Sequence, residues 1–374
     1  MVIDENDSRQ FSLLSGDFNP LHLNSVDARR SMFGGTVCHG VHVVLKALEY
    51  AILARGNILK LSRLKVVFRA PIMTGQSFLV RCDKNDDSTI KINVFCGLVK
   101  TLSITSTILD TNKFSDTKLP HTSISQECSI LSFDEAARAG GSIPLMLDET
   151  ILKKLFPVVF SLMPKVQTAE ILALSQIIGM KCPGRHSVFS QMDLTFDSGK
   201  PNSHHGLNFQ VKNAREDLSS IELLVDGPDI RGNLIALYHP PPVEQASYSE
   251  TQSQVRDNEF SQENALIIGG SRGLGEVTAK FIAAGGGKSI LTYSVGEAEA
   301  IKVQNEITNG GGRCEIRQLT VNGKSSIPVN FPEFNQLYFF ATPKIFGKRG
   351  NEFDQKRYEK LIEIYVNGFE SICQ

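Results

Sequence analysis

A helical run followed by four strand-like stretches occurs twice in the first 240 residues, after which the period of the chain changes. Over residues 40–55, Val41, Val44, Leu45, Leu48 and Ile52 fall at helical spacing. Strand-like stretches follow at 64–68, 77–82, 89–96 and 102–109, parted by turns at 71–75 and 85–87. The order then returns. Residues 168–180 read as a helix with Ile171, Leu174, Ser175 and Ile178 on one face, and strands are expected at 187–196, 207–214, 219–226 and 233–238. One long helix ahead of a run of antiparallel strands implies a sheet wrapped around that helix, and its recurrence implies duplication. From Asn264 onward strands (265–268, 289–293, 314–319, 336–341) alternate with helices (276–284, 296–309, 353–372), the pattern of a parallel sheet.

At ~150 residues per domain, 374 residues suggest two to three domains. Between the two repeats, 112–141 is Ser/Thr-rich and reads as a connector. Pro240–Pro242 and the polar run 244–263 have little to bury and read as a linker. Lys plus Arg number 39 against 40 Asp plus Glu, a net charge of -1, so no surface built around nucleic-acid phosphates is expected. The most apolar stretches, 41–53 and 171–180, are broken by Lys46 and Glu49 or are too short to span a bilayer. Residues 1–10 are acidic and polar, unlike a secretory or transit signal, so a soluble cytoplasmic protein is the expectation. Seven cysteines lie scattered with no C-x-x-C and no metal-ligand spacing to a histidine, which reads as reduced thiols without structural zinc.

The densest polar constellation is Ser15-Gly16-Asp17-Phe18-Asn19-Pro20-Leu21-His22, with Cys38-His39-Gly40 at the start of the first long helix. A carboxylate and an imidazole held together can share proton abstraction and donation on one water. Gly40 at a helix start offers an unblocked N–H, aided by the helix dipole, to a developing oxyanion. An Asx turn beside a buried histidine would use the same residues without chemistry. His42, one turn into the helix, reads as a packed or surface histidine, and His204-His205 as a solvated turn.

Ser15-Gly-Asp-x-Asn-Pro-Leu-His22, with Phe33 and then His39-Gly40 ahead of an apolar helix, resembles the MaoC-like (R)-specific enoyl thioester hydratases. The resemblance implies a hot-dog fold over 1–115. It implies an Asp17/His22 catalytic dyad supported by Asn19, and a thioester carbonyl polarised by the Gly40 N–H. Residues 143–243 would be a second hot-dog without the loop, lining an acyl tunnel or completing a pseudo-dimer. The implied activity is a hydro-lyase one: reversible hydration of trans-2-enoyl thioesters of coenzyme A or acyl carrier protein to (R)-3-hydroxyacyl thioesters. Hydration needs no cofactor or metal, and a homodimer is compatible with it.

In the third segment, Gly269-Gly270-Ser271-Arg272-Gly273 fits the G-x-S-x-G nucleophile elbow between a strand and a helix. An elbow serine needs a later histidine, and the last histidine is His239, so the hydrolase reading fails. Read instead as G-x-x-x-G-x-G, Gly269, Gly273 and Gly275 let a backbone turn approach a pyrophosphate at a helix N-terminus. With Ile267-Ile268 before it, the turn resembles that of the short-chain dehydrogenase/reductase family. No acid follows the second strand at Thr292-Tyr293-Ser294, and Arg272 could pair with a 2′-phosphate, so NADP(H) is preferred to NAD(H), with Ser271 also in the turn. That family's reductases need Y-x-x-x-K, and none of the seven tyrosines has a lysine four residues on. Phe339-Phe340-Ala341-Thr342 stands where the family usually has N-N-A-G. The expectation is therefore an α+β double hot-dog followed by a partial α/β Rossmann-like domain over 264–374, with redox chemistry unassigned. Two rivals remain: an NADPH-dependent 3-oxoacyl-thioester reductase with an acyl-binding hot-dog part, and a non-catalytic acyl-thioester-binding scaffold.

Overall fold

The computed structural model describes residues 1–109, 119–120, 125–196, 206–239, 241, 244–324, 326–343 and 355–374. The His204-His205 turn, Pro240, Pro242 and part of the 112–141 connector lie outside them. The chain divides into two units, Met1–Pro241 and Pro242–Gln374.

Among the described residues, nine strands build the first unit: β1 (Lys60–Phe68), β2 (Leu79–Asn85), β3 (Thr89–Cys96), β4 (Val99–Leu109), β5 (Gly140–Pro144), β6 (Ser187–Phe196), β7 (Gly206–Arg215), β8 (Ser220–Asp226) and β9 (Ile230–Tyr238). They form one antiparallel sheet in the order β2-β3-β4-β1-β6-β9-β8-β7-β5. Apart from β5 at one edge, the order is mirror-symmetric about the β1–β6 seam: β1 and β6 lie at the seam, with β4, β3 and β2 following outward on one side and β9, β8 and β7 on the other. Lys65 sits opposite Asp193 there, and Arg63 donates to both Asp193 carboxylate oxygens at 3.1 and 3.0 Å. Each repeat supplies one long helix, Gly40–Arg55 and Lys165–Gln176, and the second runs on through a π-helical turn, Ile177–Lys181. Val41, Val44, Leu45, Leu48 and Ile52 are all fully buried, and they share one core with Leu64, Val66, Ile171, Leu174, Met192 and Leu194. This is the expected sheet-wrapped, duplicated hot-dog arrangement.

Glu5–Ser15 and β5 are among the elements with no clear signal in the sequence. Glu5–Ser15 is a helix whose N-cap, Asp4, forms a reciprocal capping box with Asp7. β5 straddles the end of the stretch read as connector, 112–141, and the start of the second repeat at 143, and it pairs with β7.

Among the described residues, the second unit holds four parallel strands, β10 (Asn264–Ile268), β11 (Lys288–Tyr293), β12 (Arg313–Gln318) and β13 (Gln336–Phe339), in the order β12-β11-β10-β13. Helices Gly273–Ala284 and Glu297–Asn309 make the crossovers, giving a Rossmann-like topology. The run 244–263 is not a bare linker. It carries a short helix, Tyr248–Gln252, whose Tyr248 ring is buried against Gly310 and Gly312. Buried Lys280 ties the run down further, donating to Ala246 O and pairing with Glu276 and Glu306, each at 2.9 Å. Apolar content alone does not reveal one well-packed tyrosine and an ion-paired lysine. Among the described residues no helix is long and apolar enough to cross a membrane.

Candidate active site

The loop after Glu5–Ser15 begins at Gly16, whose left-handed φ of 75° ends that helix and turns Asp17 inward. Asn19 is the N-cap of the Pro20–Leu23 turn: its Oδ1 accepts from Leu21 N at 3.0 Å, and Pro20 occupies the first helical position. The Nδ2 of Asn19 donates to Gly179 O at 2.9 Å and reaches Gly184 O and Arg185 O at 3.3 Å. The G-D-x-N-P-x-H segment is thus held by its own capping and by the carbonyls of the second repeat.

Asp17 is buried, with Oδ1 accepting from Asn19 N at 3.2 Å and Oδ2 from Ser175 Oγ at 2.6 Å. Burial pushes its carboxyl above the ordinary carboxylate value, opposed by nearby His22 and by the hydrogen bonds from Ser175 and Asn19. His22 places Nδ1 2.8 Å from Val37 O. A carbonyl only accepts, so Nδ1 carries the proton and Nε2 is left to the site.

His39, quoted in the sequence only as the neighbour of Gly40, has a part of its own. Its Nε2 donates to Asp17 O at 3.1 Å, and its ring stacks on His22 at 3.8 Å. Burial, with His22 and His42 nearby, holds it far below the usual histidine range, so it stays neutral beside the site. His42 is packed, as expected: it is fully buried, stacked on Phe11 at 4.7 Å, and pushed down to about 3 by burial and by Lys46.

Nitrogens and oxygens of Asp17, His22 and His39 lie within 4.8 Å of one another. The two imidazoles are stacked with 29° between their planes, and each has one nitrogen committed to a carbonyl, Nδ1 of His22 and Nε2 of His39. A carboxylate and an imidazole this close can exchange protons through one water.

Gly40 is the first residue of its helix, so no carbonyl inside the helix can accept its N–H. A Cβ at this position would stand 2.8 Å from the Phe68 ring. Asp17, Asn19, His22 and Gly40 all line one cavity of about 290 Å³, whose other walls include Phe33, Phe68, Leu102, Ile178 and Phe189. Both repeats line it, and the Phe68 and Phe189 rings meet at 5.1 Å. The four residues singled out from the loop and the helix start are therefore brought together. Ser175 and Gly179 were not legible as site residues. Where the first helix begins with Gly40, the second begins with Lys165 after Pro164, so the second repeat has no matching glycine N–H.

In the other unit the glycine turn lies between β10 and the Gly273–Ala284 helix, at the strand order's switch point. Gly269 and Gly273 have φ of 81° and 61°, and a Cβ on Gly275 would come within 2.5 Å of Gly269 O. Nothing lies within 4 Å of where a Gly273 side chain would begin. Arg272 is the N-cap residue of the helix and exposed, and Ser271 lies beside Gly296.

Comparison with known proteins gives a likeness for part of the chain. No curated protein matches it. A solved MaoC-like dehydratase is 11% identical, covering 64% of this chain and 95% of its own, with a TM-score of 0.41. The (R)-hydratase from A. caviae involved in PHA biosynthesis is 22% identical over 29% of this chain and 88% of its own, with a TM-score of 0.25. An acyl-CoA thioesterase II, TesB2, from Mycobacterium marinum is 12% identical over 56% and 93%, with a TM-score of 0.29. Residues 1–107, which carry the loop, the first long helix and most of the first four strands, match the family model described as "MaoC like domain".

Proposed function

We propose that this chain adds water reversibly to trans-2-enoyl thioesters, giving (R)-3-hydroxyacyl thioesters of coenzyme A or acyl carrier protein. The observation that carries the reading is that Asp17, His22 and Gly40, whose N–H no carbonyl inside its helix accepts, line one largely apolar cavity. A water held between the Asp17 carboxylate and His22 Nε2 gives up a proton to one of them as its oxygen bonds C3. The C2–C3 π pair moves toward the thioester, whose oxygen gathers charge against the Gly40 N–H and the helix dipole. Delivery of a proton to C2 from the same pair completes the addition. Asn19 supports the loop. Phe33, Phe68 and Phe189 exclude water around the acyl chain. Turnover of crotonyl- and octenoyl-CoA, followed by loss of enoyl absorbance and chiral analysis of the product, tests this. Formation of the (R)-alcohol is expected. Release of free thiol without hydration would make the chain a thioesterase, and binding without change of either signal would make it a scaffold.

For the second unit, the open turn at 269–275 is one a dinucleotide pyrophosphate fits, with Gly269, Ser271, Gly273 and Gly275 supplying the backbone and Arg272 the charge toward a 2′-phosphate. When bound, NADP(H) would supply hydride. Reduction of a carbonyl also needs a proton donor at the developing alkoxide. Among the tyrosines of this unit, Tyr248 is buried in its core and Tyr293 donates to Glu297 at 2.9 Å. The purified chain is expected to show no NADPH oxidation with acetoacetyl-CoA, and Arg272→Ala is expected to weaken NADPH binding more than NADH binding by titration. Steady NADPH oxidation would favour the reductase reading instead.

A further inference from the structure

The Lys165–Gln176 helix runs straight into the π-helical turn Ile177–Lys181. Such turns insert a residue into a helix and re-aim the residues beyond it, often at a functional site. Ser175, one residue before the end of the regular helix and buried, donates to Asp17 Oδ2 at 2.6 Å. Gly179, inside the turn, packs against the same carboxylate, and a Cβ there would overlap it. The Gly179 carbonyl accepts from Asn19 Nδ2 at 2.9 Å, and Phe18 N lies 3.1 Å from Met180 Sδ. The segment therefore touches each of Asp17, Phe18 and Asn19, and all of it comes from the repeat that has no loop of its own.

A buried carboxylate is costly unless hydrogen-bonded, and a hydroxyl at 2.6 Å is a short, charge-assisted donor. With Oδ2 tied to Ser175 and no space for the group to swing toward position 179, the carboxylate is held in one orientation relative to His22. We infer that Ser175 and Gly179 are positioning residues for Asp17, so that the second repeat is a working half of the site and more than a structural mate. The inference rests on the hydration reading above.

The titratable groups facing Asp17 are His22 from the loop, His39 from the start of the first long helix, and Cys128, whose thiol lies 3.1 Å from Gly179 O. Burial, and then the charge of Asp17, pushes that thiol up to about 12, so it does not titrate where activity would be measured.

The test is steady-state hydration of crotonyl-CoA across pH by the full chain and by Ser175→Ala, Ser175→Thr and Gly179→Ala. Loss of a hydrogen bond to a charged group corresponds to about 10–100-fold, so Ser175→Ala is expected to lower kcat by that much, with KM little changed. Its acid limb should move to higher pH, because the ionised carboxylate has lost a donor. Ser175→Thr, which keeps the hydroxyl, should hold the limb where the unsubstituted chain has it. Gly179→Ala should lose more than Ser175→Ala, since it displaces the carboxylate itself. Unchanged kcat and an unchanged acid limb in Ser175→Ala would overturn the positioning role and leave the hydration reading standing. A loss of kcat in Ser175→Ala that comes with a lowered melting temperature and no movement of the limb would also overturn it. Failure of the unsubstituted chain to hydrate any enoyl thioester would overturn both.

Discussion

Asp17→Asn and His22→Ala are each expected to lower kcat for enoyl-thioester hydration by ~10²–10⁴, the usual worth of one proton-transfer partner. The two residues act on one water, so the double variant should lose little more than the worse single one. Because burial raises the Asp17 carboxyl, the acid limb of the rate profile should lie above the ordinary carboxylate value of ~4. Stability should respond in the opposite sense to activity. A carboxyl whose pKa is raised by folding contributes stability below its unfolded value and loses it as pH rises through the folded one. Asp17→Asn removes that loss, so its melting temperature relative to the unsubstituted chain should be higher at pH 7 than at pH 4. Thermal melts at the two pH values, alongside the kinetics, check both parts. Wild-type-like turnover in both single variants would sink the dyad.

Legibility in the sequence depends on the kind of signal each part sends. The Gly40–Arg55 helix and strands such as β3 and β6 were readable because their buried residues are large and periodic, Val44-Leu45-Leu48-Ile52 on the helix and Ile90-Ile92-Val94 on the strand. The Glu5–Ser15 helix was not, because serines make up much of its buried face. Ser8, Ser12 and Ser15 are buried beside Phe11 and Leu14, and each hydroxyl returns its proton to the carbonyl four residues earlier. A face of small hydroxyls satisfied in this way leaves no hydrophobic period to detect.

The loop motif was readable because its capping and turn residues are adjacent in sequence. The grip on it was not. Ser175 meets Asp17 across 158 positions, and Ile177-Ile178-Gly179-Met180 looks like the plain continuation of an apolar helix. In the second unit the glycine turn announced itself through backbone demands that only glycine meets. Tyr248 gave no such sign, because its pocket is made by the absent side chains of Gly310 and Gly312, about sixty residues away.

Gly40 allows the oxyanion role to be separated from the space it occupies. Gly40→Pro is expected to lower kcat by ~10²–10³ relative to Gly40→Ala, the usual effect of removing one oxyanion donor. Proline is well placed at the first position of a helix, where its missing N–H is not needed for the helix itself. The residue before it, His39, has φ -59° and ψ 130°, a conformation that proline favours in its predecessor. Both substitutions bring a Cβ toward the Phe68 ring, 2.8 Å away as it stands, so both ask that ring to shift, and proline adds its Cγ and Cδ besides. Proline differs from alanine in lacking the N–H and in carrying Cδ on that nitrogen. A KM effect common to the two variants therefore measures the crowding by Cβ, and the kcat gap between them measures loss of the N–H together with Cδ standing in its place. Equal kcat in the two variants would mean that the charge on the enolate is stabilised by something other than the start of this helix. The dyad would then be acting without the oxyanion site assigned to it.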